Sequence, residues 1–266
     1  MKYFFLSVFL ISSSLLRAAD SELAQELTNP IADLMTIPIQ ATYDRNIGPI
    51  DKGTKLQTNI QPVIPFELSQ DYNLITRTIL PVIKQKDIAL IPGTPMGTGS
   101  QFGTGDTSLS LFVSPKKVYH GVMWGAGPII LLPTASNDYL GTKEWGIGPS
   151  AVVVAMLGPW TLGGLANHVW TGHNAQHEAV SNTFLQPFAA YTWPNAWTVS
   201  LQSESTYNWR RKEWAVPFTA AVAKLVRFGK LPVSLQAGVG YWTNSSSTSP
   251  EGARFRLQAN FVLPKF

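Results

Sequence analysis

The chain has 266 residues, a net charge of +4 and no cysteine, and only 14% of its residues are charged, whereas soluble domains average about 25%. The lack of cysteine excludes disulfides, thiolate metal ligands and thiol catalysis. The small net charge, without a run of basic residues, gives no support for a nucleic-acid partner. A mean hydropathy of +0.05 is far too low for a bundle of membrane helices.

Residues 1–19 have the pattern of a secretory signal peptide. Lys2 supplies the positive end, residues 3–16 form an apolar core, and Ala18 and Ala19 offer small residues for cleavage. The apolar core of about 14 residues is shorter than the roughly 20 that a spanning helix needs. Loss of Lys2 and Arg17 with the signal lowers the net charge from +4 to +2. An uncleaved membrane anchor is the alternative.

Residues 20–34 have the spacing of an amphipathic helix, with apolar residues at Leu23, Leu27, Ile31 and Leu34. Pro30 should kink or interrupt this helix, because proline lacks a backbone N–H group. We predict a short helix that lies in the periplasm or against the mouth of the following domain. A frayed N terminus is the alternative.

Residues 35–266 lose the helical period and predict an all-β domain, a transmembrane antiparallel up-and-down β-barrel of about 12 strands. A tilted strand needs about 9–11 residues to cross a bilayer, and bacterial single-chain barrels have an even strand count. No apolar stretch of about 20 residues occurs, which excludes helical spans. The predicted strands lie at about 35–44, 54–67, 71–84, 103–114, 120–133, 145–157, 159–171, 179–193, 196–207, 212–227, 232–243 and 253–265.

The predicted connections alternate in length along the chain. Short connections lie at 68–70, 115–119, 158, 194–195 and 228–231. Longer ones lie at 45–53, 85–102, 134–144, 172–178, 208–211 and 244–252, of which 208–211 is the weakest case. Outer-membrane barrels have short periplasmic turns and longer outer loops. The alternation therefore predicts that both chain termini lie on the periplasmic side.

The last strand shows the clearest division between two faces. Its apolar positions are Phe255, Leu257, Ala259, Phe261 and Leu263, and its polar positions are Arg254, Arg256, Gln258 and Asn260. Because side chains alternate across a strand, the first set should contact outer-membrane lipid and the second should line the lumen. We expect the strand, which ends on Phe266, to guide the barrel-assembly machinery. An amphipathic edge strand of a soluble sandwich is the alternative for this stretch alone.

Aromatic residues and prolines add two further expectations. Tryptophans near strand ends are typical of the aromatic belts at the two membrane interfaces. We therefore expect an interfacial position for Trp124, Trp145, Trp160, Trp170, Trp193, Trp197, Trp209, Trp214 and Trp242. Prolines recur inside the predicted strands, and because proline removes a ladder hydrogen bond, we expect bulges or strand ends at those positions.

Long stretches of the mature chain resemble a known family. They include QPVIPFELSQDYNLITRTILPV at 61–82, GSQFGTGDTSLSLFVSPK at 99–116, WGAGPIILLPT at 124–134, and 145–152, 158–170, 182–209 and 214–242. These segments are similar to the outer-membrane transporter-like proteins of the MetA pathway of phenol degradation. The resemblance implies a channel for small organic molecules, and it implies no particular functional residues.

The leading functional hypothesis is a passive channel or transporter for small, including aromatic or hydrophobic, solutes. Charged and polar groups in the lumen would set its selectivity, and the candidates are Arg77, Asp106, Glu204, Arg254, Arg256, Gln57 and Asn59. A charged side chain on the lipid face costs about 2–4 kcal/mol for Arg at the midplane, so inward is the default orientation. Alternatively, these charges pair with one another and plug the barrel. No cofactor, metal or catalytic residue is predicted.

The rival hypothesis is a membrane-embedded hydrolase that acts on lipid or lipopolysaccharide. Such an enzyme needs a nucleophile, a base and an orienting group within hydrogen-bond reach. The candidate bases are His120, His168, His173 and His177. His173 and His177 lie in one loop with Glu178, where a weak metal-binding or pH-sensitive patch is one interpretation and solvated loop histidines are the favoured one. The chain has no GxSxG and no HExxH motif, so we expect that the protein is not an enzyme.

Overall fold

The computed structural model describes residues 18–48, 51–88, 97–173, 179–245 and 249–264. Most of the predicted signal peptide, His177, Glu178 and Phe266 lie outside these residues. The described residues form a closed barrel of twelve antiparallel strands with one short N-terminal helix. The predicted fold is therefore confirmed.

The barrel is built from 15 strand segments, because three of its twelve strands are interrupted. The interrupted strands are β2 with β3, β5 with β6, and β11 with β12. The segments are β1 (Met35–Ile47), β2 (Gly53–Ile60), β3 (Val63–Glu67), β4 (Tyr72–Lys86), β5 (Ser100–Thr104), β6 (Thr107–Pro115), β7 (Val122–Leu132), β8 (Gly146–Leu157), β9 (Trp160–Thr171), β10 (Ser181–Thr192), β11 (Trp197–Ser203), β12 (Ser205–Asn208), β13 (Glu213–Phe228), β14 (Leu231–Asn244) and β15 (Gly252–Leu263).

The barrel closes where the last strand meets the first. Met35 of β1 pairs with Leu263 of β15, and the pairing continues to Tyr43 and Phe255. The other edge of β15 pairs with β14, as an up-and-down barrel requires. Closure pairs the backbone groups that an open edge would leave unsatisfied, which is a requirement for β structure inside a bilayer.

Prolines mark several irregular places in the barrel wall. Pro62 lies in the interruption between β2 and β3, and the register between β13 and β14 shifts between Val216 and Pro217. Both agree with the expected bulges or strand ends. Pro128 of β7 pairs with Pro149 of β8 inside an unbroken register, so the expected bulge or strand end is absent at these two residues and the expectation is wrong there.

The outer face of the barrel is apolar and has aromatic residues toward its ends. Val153 is 50% exposed and Leu257 is 66% exposed. Eight tryptophans are exposed on the surface, namely Trp124, Trp145, Trp160, Trp170, Trp193, Trp197, Trp209 and Trp214. A closed barrel with an apolar exterior and aromatic girdles is the architecture of an outer-membrane protein, and the protein is located in the outer membrane.

The N-terminal helix covers residues 18–26 and ends earlier than the predicted residue 34. It stops ahead of Pro30, which cannot donate the next helical hydrogen bond. The helix lies at the end of the barrel that carries the short turns. There the Gln25 side-chain amide donates to the Gly158 carbonyl at 2.7 Å, and Arg227 pairs with Asp20 at 2.5 Å. No helix among the described residues is long and apolar enough to cross a membrane.

Candidate functional site

The interior of the barrel contains a cavity of about 830 Å³. Its lining combines inward-facing side chains from both halves of the barrel with residues of the N-terminal segment (18–34). The cavity has two unlike walls, one charged and one apolar. Each wall follows from the alternation of side chains along the strands.

The charged wall is centred on Arg254 and Arg256, both buried on β15. Arg256 Nη2 lies 2.5 Å from Glu204 Oε2, and Arg254 Nη1 lies 3.5 Å from the same oxygen. Arg254 Nε also lies 3.3 Å from Asp44 Oδ1 on β1. Arginines that share carboxylates in a low-dielectric site make strong, geometrically fixed contacts. The ion pairs therefore join β15 to β1 and to the β11–β12 interruption.

Three further sequence-predicted residues line the same cavity. Arg77 of β4 donates to the Gln61 side-chain oxygen at 2.9 Å, and Gln57 donates to Asn59 at 2.9 Å on β2. These three side chains and Gln61 all contribute to the cavity lining. The structure thus brings Arg77, Gln57 and Asn59 to the lumen with the arginines of β15, although their partners are amides rather than carboxylates.

Cations outnumber anions around the cavity. The barrel wall contributes Lys55, Arg77, Arg254 and Arg256, against Asp44 and Glu204, and the N-terminal segment adds Glu26. Among the described residues that line the cavity, basic side chains therefore outnumber acidic ones by one. In addition, Arg256 is only 2% exposed, and its Nη1 atom has no hydrogen-bond partner.

The apolar wall is formed by inward-facing residues of β3 to β10. A buried cluster joins Val63, Ile75, Phe112, Val152, Val154 and Leu165 with Ile31 of the N-terminal segment, and Met123, Met156, Phe184 and Phe188 pack against it. Of these residues, Val63, Phe184 and Phe188 line the cavity, and the other members of the cluster pack outside its lining. Polar residues of the same strands also line the cavity, namely Ser108, Ser110, Asn167 and Gln186. Burying apolar surface stabilises by about 25 cal/mol per Å², so the contact with this wall holds Ile31 inside the barrel.

The cavity is bounded at both ends of the barrel. At the short-turn end, the N-terminal segment enters the lumen, with Ile31 2% exposed and Asn29 6% exposed. At the long-loop end, residues 133–145 fold over the barrel, and the Gln85 side chain donates to the Tyr139 carbonyl at 3.0 Å. The described residues therefore narrow the lumen at both ends of the barrel.

Asp106 lies at the β5–β6 interruption and contacts loop 133–145 at the long-loop end of the barrel. Its Oδ2 accepts hydrogen bonds from the backbone N–H groups of Thr142 at 2.6 Å and Lys143 at 3.1 Å. Its Oδ1 accepts from the backbone of Ala135 at 3.1 Å. Asp106, which the sequence proposed as a lumen residue, thus fastens loop 133–145 and does not belong to the lumen charge cluster.

The position of Trp242 corrects the expectation that every tryptophan lies at the membrane interface. Trp242 faces the cavity, its indole N–H donates to Asp44 Oδ1 at 2.8 Å, and the Arg254 guanidinium lies 4.9 Å from its ring centroid. A cation over an aromatic face adds to the attraction between the two side chains.

The sequence analysis did not name Asp44 and Lys55 as lumen residues. Both line the cavity, and the alternation of side chains along β1 and β2 would have placed them inward.

His168 has the most contacts of the candidate histidines. Its Nδ1 lies 2.8 Å from Thr183 Oγ1, and its Nε2 lies 3.3 Å from Ser181 Oγ. The exposed Trp160 and Trp170 share its parity on β9, which places His168 on the outer face at the long-loop end. His120 lies in a short turn, and His173 lies in a long loop. Among the described residues, no group of three acidic or histidine side chains could hold a metal ion.

No family model matches the sequence, and no curated protein matches it. The relation to the phenol-degradation family therefore stays a prediction. Solved structures share the fold. The COG4313 outer membrane channel from Pseudomonas putida F1 superposes with a TM-score of 0.64 and 15% identity, over 86% of this chain and 96% of that chain.

Two other solved structures are more distant. The KdgM porin in complex with disordered oligogalacturonate has a TM-score of 0.48 and 9% identity, over 86% of this chain and 99% of that chain. Outer membrane phospholipase A from Escherichia coli has a TM-score of 0.42 and 10% identity, over 86% of this chain and 92% of that chain. The chain thus shares with the Pseudomonas channel the fold of a closed outer-membrane β-barrel.

Proposed function

We propose that the protein is an outer-membrane channel through which small solutes pass passively. One observation carries the proposal: the barrel encloses a chamber of about 830 Å³ lined by amides, hydroxyls and charged groups. A polar lumen inside an apolar belt is the arrangement of porins, whereas small closed barrels fill their interior with side chains. The exposed face of β15 would contact lipid, and its C-terminal end would be read by the assembly machinery.

Solutes would have to pass the N-terminal segment at one end of the chamber and loop 133–145 at the other. Reconstitution of the refolded protein in planar bilayers should give discrete conductance steps that increase when the N-terminal segment (18–34) is removed. Absence of conductance at every voltage tested, together with unchanged uptake after gene deletion, would contradict the channel.

The charged wall supplies a second test of the same proposal. Replacing Arg254 or Arg256 by alanine should lower the preference for anions, because each change removes a positive charge from the lumen lining. The matched control is Arg210→Ala, since Arg210 is exposed in the long connection 209–212. A reversal potential that changes equally in the control would place the selectivity outside the lumen.

We further propose that the small solutes that pass include aromatic or hydrophobic molecules. Its support is the apolar wall, where Phe184 and Phe188 line the cavity. A wall of this kind offers a dry contact that amide-lined porin interiors lack.

A second candidate function is hydrolysis of lipid esters at the outer face. The observation that favours it is the contact of His168 with both Ser181 and Thr183, at 3.3 Å and 2.8 Å. A serine next to a histidine base is the core of acyl-transfer sites, but here the orienting group is a neutral hydroxyl rather than a carboxylate. Hydrolysis predicts that a fluorophosphonate labels Ser181 and that His168→Ala abolishes both labelling and phospholipid turnover. Unlabelled Ser181 would remove this candidate.

A further inference from the structure

We infer that the lumen contains a binding site for amphipathic organic anions, that is, carboxylates carried on a compact apolar body such as an aromatic ring. The inference rests on the proposed channel function and specifies which solutes the chamber retains. It is drawn from the two unlike walls of the cavity and from the place where they meet.

The charged wall lacks part of its counter-charge. Arg256 is paired through Nη2 with Glu204 at 2.5 Å, yet its Nη1 atom, also buried, has no hydrogen-bond partner. A buried guanidinium N–H group without an acceptor costs free energy that an acceptor would recover. Since the described cavity lining also carries one more cation than anions, the ligand that complements this wall is an anion with acceptor oxygens. A carboxylate matches the planar fork of arginine.

The apolar wall lacks part of its cover. Ile31 covers one part of the buried cluster, whereas the rings of Phe184 and Phe188 still contribute to the cavity surface. Apolar surface that faces an aqueous chamber is unfavourable, because water cannot bond to it. An apolar group of the solute would cover these rings, and an aromatic group could stack on them.

The strand register brings the two walls together. On the strand next to β10, Thr206 is paired with Phe184 and Gln202 is paired with Phe188. Glu204, the carboxylate that holds both arginines, lies midway between these two partners in the sequence. Neighbouring strands are about 4.8 Å apart, so the phenylalanine rings and the ion-pair cluster lie within the reach of one small molecule.

The size of the chamber agrees with a small ligand. A cavity of about 830 Å³ lies within the range of roughly 300–1,000 Å³ that small-molecule sites occupy. It holds a single-ring carboxylate with room for water. A neutral aromatic molecule would leave the arginine wall unmatched, and a short carboxylate would leave the phenylalanine wall uncovered.

The test is a titration of the purified full-length protein in detergent micelles with three probes, corrected by protein-free micelles. Benzoate carries both features, acetate carries only the charge, and benzyl alcohol carries only the ring. We expect saturable binding of benzoate at least about tenfold tighter than that of either other probe, since tenfold corresponds to about 1.4 kcal/mol. Equal binding of benzoate and acetate, or no saturable binding of benzoate, would overturn the inference.

Substitutions in each wall test whether both the charged and the apolar wall contribute to benzoate binding. Arg256→Gln and Phe184→Ala should each weaken benzoate binding about tenfold, the loss expected for one charged hydrogen bond or one buried ring face. The matched controls are Arg210→Gln in an exposed connection and Phe218→Ala on the outer face, where Phe218 is 45% exposed. If Arg256→Gln does not fold, as judged by circular dichroism, Arg77→Gln takes its place. Benzoate binding that is unchanged in both lumen variants would place the site elsewhere and overturn the inference.

The binding site and the channel function can be rejected independently of each other. Saturable benzoate binding without conductance in planar bilayers would retain the site and reject the channel. Conductance that benzoate neither blocks nor slows, together with no binding, would retain the channel and reject the site.

Discussion

Arg256 Nη2 of the closing strand lies 2.5 Å from Glu204 Oε2 at the interruption between β11 and β12. The contact joins two strands that are separated by β13 and β14 in the barrel wall, so it passes in front of the inner faces of these two strands. The carboxylate also lies 3.5 Å from Arg254 Nη1. Glu204 is therefore the common partner of both arginines, and its charge holds them at the chamber wall.

Glu204→Gln should increase the preference of the channel for anions and weaken the fold. The change removes the negative charge that neutralises two arginines, and breaking a buried ion pair typically costs about 3–5 kcal/mol. Reversal potentials in a salt gradient measure the first effect, and urea unfolding in micelles measures the second. The control is Glu251→Gln, since Glu251 is exposed in a long loop. An unchanged reversal potential would mean that the path of the ions does not run near Glu204.

Ile31→Asp should release the N-terminal segment from the lumen without unfolding the barrel. Ile31 is 2% exposed among apolar side chains, and an ionised carboxylate placed there without a partner costs several kcal/mol. The expected result is a higher single-channel conductance with an unchanged β-sheet spectrum. Glu22→Gln, at an exposed position of the N-terminal helix that precedes Ile31, should leave the conductance unchanged. A lower or unchanged conductance for Ile31→Asp would mean that the segment does not limit the pore.

Asp106→Asn should loosen loop 133–145. The substitution places an amide N–H₂ group where Oδ2 now accepts from the Thr142 and Lys143 backbone, and each lost charged hydrogen bond costs about 1.5–3 kcal/mol. We expect faster proteolytic cleavage within the loop and noisier channel current. Asp138→Asn serves as the control, because the Asp138–Lys143 pair is exposed and such pairs contribute little. Equal cleavage rates in both variants would contradict the role of Asp106.

Trp242→Phe should destabilise the barrel by about 1–2 kcal/mol, because it keeps a ring near Arg254 but removes the N–H donor to Asp44. The midpoint of urea unfolding measures the change. Trp214→Phe is the matched control, since Trp214 is 38% exposed. If the control lowers the midpoint as much as Trp242→Phe does, the indole–carboxylate bond does not contribute to stability.

The parts of the fold that could be predicted were those where the two strand faces differ in chemistry. On β15 the outer Leu257 is 66% exposed and the inner Arg256 is 2% exposed, so the alternation of apolar and polar residues was visible in the sequence. On β8 the outer Val153 is 50% exposed and the inner Val152 and Val154 are buried. Both faces of β8 are apolar because its inner face belongs to the apolar wall, and no pattern could separate them.

Long-range relationships were the parts that the sequence could not provide. Asp44 and Trp242 are far apart in the chain and meet only because β1 and β14 flank β15. The position of Asp106 at an interruption, rather than within a regular strand, likewise depends on the register of its neighbours. Parity places a side chain on a face, but it does not show which partner it meets there.

The location of Ile31 has a consequence for the order of assembly. Its partners lie on β3, β4, β6, β8 and β9, so its binding surface exists only after most of the wall has curved into place. The segment also lies directly ahead of β1, whose pairing with β15 closes the ring. We therefore expect the described residues that are synthesised first to be among the last to reach their final position.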